Sequence, residues 1–361
     1  MTTIDDLAQI GTSTWLDDLS RDRLESGNLK ELLSTKSFVG VTTNPAIFAS
    51  AMSQGSAYDA DFEKLKAERA KPDEAVYSLA IDDVRNACDV FQEIFEKSGG
   101  KDGRVSIEVD PRISDDGEAT IAQARELWNR VDRENVMIKI PATDGSMGAI
   151  SEALADGISV NVTLIFSLER YKQVIEAFKT GIARAAANDL DITKIHSVAS
   201  FFVSRVDVEI DKRLEALGSD EALALRGKAG IANAQQAYAL YQAELENADN
   251  LPEGTNLQRP LWASTGVKNP DYPATLYVSE LAGPNTVNTM PEKTIDAALD
   301  SAALHGDTLS NTAEESAQVL KDLEAVGIDL DDVFEVLERE GVEKFVDAWN
   351  ELLESVQPRL V

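Results

Sequence analysis

The feature that most restricts the fold is a switch of hydrophobic period that recurs along the chain. Short runs alternating with period two are followed by longer stretches with apolar residues three and four apart, about eight times in 361 residues. Parallel strands need a crossover of a dozen or more residues, usually a helix, so this alternation is the pattern of βαβ units. Eight units predict an α/β fold, a (β/α)8 TIM barrel with additional helices, as one domain over residues 1–361. The extra helices are expected at about 46–98, 206–259 and 305–361. A doubly wound open sheet is the competitor, but it usually carries a Gly-rich turn after its first strand, and STWLDDLSRD has none.

The strands are expected at residues 12–17, 38–43, 104–110, 136–140, 158–164, 195–203, 260–264 and 285–290. The second ends in TTNP, where Pro45 stops it. Helical patterns cover about 21–33, 46–98, 118–133, a short stretch from 146, 168–188 and 206–247. Residues 275–281 fit strand or helix. The remainder, 292–356, reads as helix with few breaks.

Within this pattern the segment NVMIKIPATDG places one lysine in an apolar strand. Met137 and Lys139 share one face, with Val136, Ile138 and Ile140 on the other. A buried ammonium is disfavoured by desolvation, which favours the neutral amine that can attack a carbonyl. A lone strand lysine can instead snorkel at a sheet edge. The other strands speak against that, because Asp17, Asn44, Glu108, Asn161, Thr163 and Ser200 also fall near strand C-termini, most of them on the inward parity. Barrel enzymes assemble their sites at that end. An amine among two carboxylates and neutral donors suits Schiff-base chemistry, although either carboxylate alone could equally be an ion-pair partner.

Composition narrows the partners. There are 34 Lys plus Arg against 64 Asp plus Glu, a formal net charge of −30. Nucleic acid and anionic membranes would be repelled over most of such a surface, and an anionic substrate needs a locally basic pocket. The N-terminal stretch MTTIDDLAQIGTST has no apolar h-region and no run of about 18 apolar residues occurs, so a soluble, cytoplasmic protein is expected. Cys88 is the single cysteine and sits in a helical apolar pattern, which favours a core role. His196 and His305 are the only histidines and form no HExxH arrangement, so no metal site is expected.

The segments GVTTNPAIF, RVSIEVDPRIS, NVMIKIPAT, SVNVTLIFS and VASFFVSRVD resemble, in order and spacing, the motifs of transaldolases. The resemblance runs from about residue 12 to 290. It implies a cofactor-free α/β-barrel transferase of the pentose phosphate pathway. Such an enzyme moves a dihydroxyacetone unit from sedoheptulose 7-phosphate to glyceraldehyde 3-phosphate, giving erythrose 4-phosphate and fructose 6-phosphate. The resemblance makes Lys139 the Schiff-base residue, Glu108 the proton-transfer group acting through water, and Asp17 the base for carbon–carbon cleavage, with Asp18 the neighbour to be told apart from it.

It also makes Asn44 and Asn161 ligands of substrate hydroxyls, with Thr42 and Thr163 supporting them. Ser200, Phe202 and Arg205 match an SxFxxR pattern whose arginine holds phosphate. After the seventh strand the chain departs from many family members, which have a second phosphate arginine there. This chain reads ASTGVKNP, making Ser264 and Lys268 the candidates, and a lysine lacks the bidentate fork. The segments 206–259 and 305–361 look like those of longer bacterial members. A monomer or homodimer is expected.

Two other functions remain open. A simple aldolase would release free dihydroxyacetone from fructose 6-phosphate, and relatives of that type usually carry tyrosine where this chain has Phe202. A non-catalytic barrel would use its acidic surface for binding, against which the lysine and its carboxylates weigh.

Overall fold

In the computed structural model, which describes residues 2–361, seven parallel strands form one curved sheet. They are β1 (Thr12–Leu16), β2 (Val105–Glu108), β3 (Val136–Pro141), β4 (Val160–Ile165), β5 (Ser197–Phe202), β6 (Arg259–Ala263) and β7 (Thr286–Met290). Their order is β1-β7-β6-β5-β4-β3-β2, so β1 and β2 are the two end strands.

The strand expected at 38–43 is reduced to one bridging residue, Val41, which pairs with Leu16 on one side and Val105 on the other. The backbone of 39–42 nevertheless completes the ladder. Val39 N–H donates to the Thr14 carbonyl at 2.8 Å, Leu16 N–H to Gly40 at 2.9 Å and Thr42 N–H to Leu16 at 2.9 Å. On the other edge, Gly103 N–H donates to Val39 at 2.7 Å, Val41 N–H to Arg104 at 2.8 Å and Ser106 N–H to Val41 at 3.1 Å. The eight-unit barrel expected from the sequence is closed through this segment. Gly40 is required there, because a Cβ would lie 2.8 Å from the Trp15 indole.

Alternation along the strands sorts the side chains into two apolar clusters. Trp15, Met137, Val198, Phe202, Leu261 and Val287 belong to the inner one, while Leu16, Ile138, Ile140, Val162, Phe201 and Trp262 pack outward under the helices. In β4 the alternation breaks: Leu164 has φ of 60° and the register with β5 shifts between Val162 and Ile165. This bulge brings Leu164 into the inner cluster beside Phe166. At the N-terminal mouth, Asp102 accepts from Ser13 Oγ (2.9 Å), Trp15 Nε1 (3.0 Å) and Arg259 Nη2 (3.2 Å), which plugs the barrel.

The helical stretches are more divided than expected. Residues 21–33 split at Gly27, whose φ is 79°, into Arg21–Glu25 and Asn28–Lys36. Residues 46–98 hold Pro45–Ser53, Asp59–Ala67 and Pro72–Lys97; residues 206–259 hold Ser204–Leu217, Asp220–Leu223 and Ala229–Tyr241, the last continued by a π-helical turn at Gln242–Glu246 before the return to β6. The C-terminal run becomes Glu292–Ser301, Ala313–Ala325 and Leu330–Val356, broken first at 302–312. Leu276–Ser279 settles the ambiguous segment as a short helix. Cys88 is fully buried in Pro72–Lys97, and burial pushes its thiol up, away from nucleophilic use. Among the described residues no helix is long and apolar enough to cross a membrane.

Candidate active site

The C-terminal ends of the strands surround a cavity of about 190 Å³. Lys139 reaches it from β3 and is only 5% exposed. Strand parity sets this position, since Met137 on the same face lies in the inner cluster. The ammonium donates to the Thr43 carbonyl at 3.0 Å and stands 3.5 Å from Glu108 Oε2. Glu108 is the directly paired residue on β2. Both its oxygens are buried without a hydrogen-bond partner among the described residues. Burial pushes its carboxyl up to about 7, Lys139 opposing and Asp17 adding to the rise.

Asp17 follows the last residue of β1 and lines the cavity. Burial raises its pKa, while Lys139 and a hydrogen bond from Thr42 Oγ1 (2.7 Å) hold it down. Thr42 Oγ1 also lies 2.5 Å from Thr289 Oγ1. Since Thr42 has one proton and gives it to Asp17, Thr289 is the donor of the second bond. Asp18 instead pairs with Arg23 outside the cavity, which separates the two neighbouring aspartates.

The remaining residues fall into two sets. Asn44, Ser200, Phe202, Arg205, Ser264 and Lys268 all line the cavity. Asn44 caps Pro45–Ser53 by accepting from Ile47 N–H at 3.0 Å, which fixes the side chain at the rim. Glu108, Asn161 and Thr163 do not line it. Asn161 accepts from Ser200 Oγ at 2.7 Å and donates to Ser106 Oγ at 3.1 Å, so it orients Ser200 from beneath. Thr163 is fully buried on the inward parity, its hydroxyl without a partner among the described residues.

Arg205 lies in the first turn of Ser204–Leu217, with its guanidinium 5.1 Å from the Phe202 ring centroid. Its Nη1 is buried without a hydrogen bond among the described residues. Burial lowers the Arg205 pKa, and Glu340 opposes the shift. Lys268 is pushed down by burial, then by Lys293 and Arg205. Ser264, at φ 55°, shares a 2.8 Å hydrogen bond with Ser204 Oγ. The charged lining is thus Lys139, Arg205 and Lys268 against Asp17, a basic pocket within a strongly acidic chain.

Among the lining residues that escape the sequence reading, Thr289 and Phe345 bear on the chemistry. Thr289 carries a signal, since it repeats the inward parity of Val287 on β7. Phe345 carries none: it comes from Leu330–Val356 and sets its ring 5.8 Å from Lys139 Nζ.

The arrangement sets a buried amine near two carboxylates of raised pKa, with two further cations, Arg205 and Lys268, lining the same cavity. The sequence model of a family described as Transaldolase/Fructose-6-phosphate aldolase matches residues 14–356. Curated relatives named Transaldolase include those of Mycobacterium leprae, 60% identical, and Mycolicibacterium paratuberculosis, 59% identical. Each alignment spans 358 residues, 98% of this chain and 96% of the relative. The relative from Mycobacterium tuberculosis is 58% identical over the same shares.

Proposed function

The chain belongs to the transaldolase/fructose-6-phosphate aldolase family, and from that premise we propose that it is a transaldolase working through an imine on Lys139. It transfers a dihydroxyacetone unit from sedoheptulose 7-phosphate to glyceraldehyde 3-phosphate, giving erythrose 4-phosphate and fructose 6-phosphate. The observation that carries this reading is the buried Lys139 amine, in the cavity and 3.5 Å from Glu108.

The neutral amine attacks the ketose carbonyl carbon, and Glu108, set behind the cavity wall, protonates the departing hydroxyl through a water, so that the hydroxyl leaves as water and yields the iminium. Asp17 takes the proton of the C4 hydroxyl, the C3–C4 bond breaks, and its electrons enter the iminium to form an enamine. The aldose phosphate leaves. The enamine carbon then attacks the acceptor aldehyde, Asp17 returns its proton to the new hydroxyl, and water hydrolyses the iminium. Arg205 and Lys268 hold the phosphate, with Ser264 beside them; Asn44 and Ser200 orient the substrate hydroxyls, Thr42 supports Asp17 from the cavity wall, and Asn161 and Thr163 support from behind.

The test is turnover of fructose 6-phosphate with and without erythrose 4-phosphate. Sedoheptulose 7-phosphate should form only with the acceptor present. Release of free dihydroxyacetone at a comparable rate without acceptor would favour the aldolase reading.

A further inference from the structure

The cavity walls come from the barrel strands, the loops that follow them and, at Arg205, the first turn of Ser204–Leu217, while Phe345 is supplied from the far end of the chain by the C-terminal helix Leu330–Val356. This ring is 6% exposed and belongs to the inner cluster with Phe202, Phe166 and Leu164. Its centroid lies 5.8 Å from Lys139 Nζ, within the range where an aromatic face attracts a cation.

The helix is firmly seated. Trp349, one turn on, packs against Tyr77 with ring centroids 5.0 Å apart and planes tilted by 38°, and the Arg112 guanidinium lies 5.9 Å from the Trp349 ring. Gly341, one turn before, passes so close to the barrel that a Cβ would meet Phe166 at 3.1 Å and Leu164 at 3.3 Å. The same helix packs against Pro45–Ser53, whose N-cap Asn44 lines the cavity. Phe345 is therefore held at Lys139 from both sides along its own helix.

We infer that Phe345 is a specificity-determining residue, which keeps water from the Lys139 adduct and so directs the enamine to an aldehyde acceptor instead of hydrolysis. This rests on the imine chemistry proposed above. After cleavage the enamine has two fates. It can attack an aldehyde, forming a carbon–carbon bond. It can instead take a proton at carbon, whereupon the iminium adds water, the C–N bond breaks, and dihydroxyacetone leaves with the lysine amine restored. Only the second consumes water at the adduct before an acceptor arrives, and an apolar ring over the nitrogen opposes it while its face favours the iminium charge.

The experiment compares the wild-type chain with Phe345→Ala and Phe345→Leu. It measures dihydroxyacetone released from fructose 6-phosphate alone, transfer to erythrose 4-phosphate, and borohydride-trapped adduct. Phe345→Ala should still trap the adduct and raise the ratio of release to transfer about tenfold, equivalent to ~1.4 kcal/mol of barrier difference. Phe345→Leu, which keeps apolar bulk, should fall between. A merely structural role would lower both rates together, so an unchanged ratio with the adduct still trapped overturns the inference. If Phe345→Ala does not fold, an unchanged ratio in Phe345→Leu overturns it instead. Absence of adduct in the wild-type chain would sink the imine mechanism itself, a different result.

Discussion

Glu108 and Lys139 are register partners on adjacent strands, both at most 6% exposed, and their charged atoms lie 3.5 Å apart. Parallel pairing holds the carboxyl against the amine with no loop between them. Either group alone would be costly to bury in charged form, and together they can exchange a proton at the point where the imine forms.

A pH dependence follows from Glu108, whose carboxyl burial pushes up to about 7. As the proton donor to the departing hydroxyl it works when protonated, so imine formation should be supported below about pH 7 and decline as pH rises through that value. Glu108→Gln should remove this limb and slow imine formation by about 10² to 10⁴. The measurement is the rate of borohydride-trappable adduct against pH. A profile with the same limb in the variant would assign it to another group.

The hydroxyl relay from Thr289 through Thr42 to Asp17 should tune the cleavage step. Thr42→Val removes the hydrogen bond that stabilises the Asp17 carboxylate, worth ~1.5 to 3 kcal/mol for a charged acceptor. Cleavage of fructose 6-phosphate should slow about tenfold or more, with adduct still forming. Equal loss of adduct and cleavage would mean that Thr42 serves folding.

Arg205 should act on phosphate affinity. Its buried Nη1 has no partner among the described residues, so a phosphate oxygen would complete it. Arg205→Ala should raise KM for fructose 6-phosphate about 10- to 100-fold and change little with unphosphorylated dihydroxyacetone as donor. Lys268→Ala should have the same sign and a smaller effect, because a lysine contacts phosphate without a fork. Equal losses on both donors would contradict the assignment.

The opposite mouth of the barrel should matter for stability alone. Asp102 faces Arg259, which is 7% exposed, and also receives Ser13 and Trp15. Asp102→Ala leaves that guanidinium without its carboxylate, with only the Ser13 hydroxyl and the Lys101 carbonyl as hydrogen-bond partners among the described residues, and should cost about 3 kcal/mol, with KM unchanged. Thermal unfolding beside steady-state kinetics checks both halves.

Much of this site is legible in the sequence because strand parity is strict. The period-two pattern places Lys139, Glu108 and Ser200 inside the barrel, and the structure has them buried there. TVNTM gives Thr289 the same inward parity, yet an inward threonine carries no chemistry of its own until Thr42 stands beside it. The stretch 38–43 reads as a regular strand but persists only as the short ladder about Val41, since Gly40 must pass under Trp15. Helix boundaries are the least legible, because breaks such as 302–312 depend on tertiary packing that apolar spacing does not encode. Phe345 is not legible at all, for its place over Lys139 depends on how the last helix returns across the barrel mouth.

If Lys139 carries the substrate as an imine, incubation with fructose 6-phosphate and borohydride, followed by peptide mapping, tests it most directly. The reduced dihydroxyacetone adduct should appear on the peptide containing Lys139, with activity lost in proportion, and Lys139→Ala should take no label. Label on another lysine, or inactivation without label at Lys139, would contradict the imine mechanism.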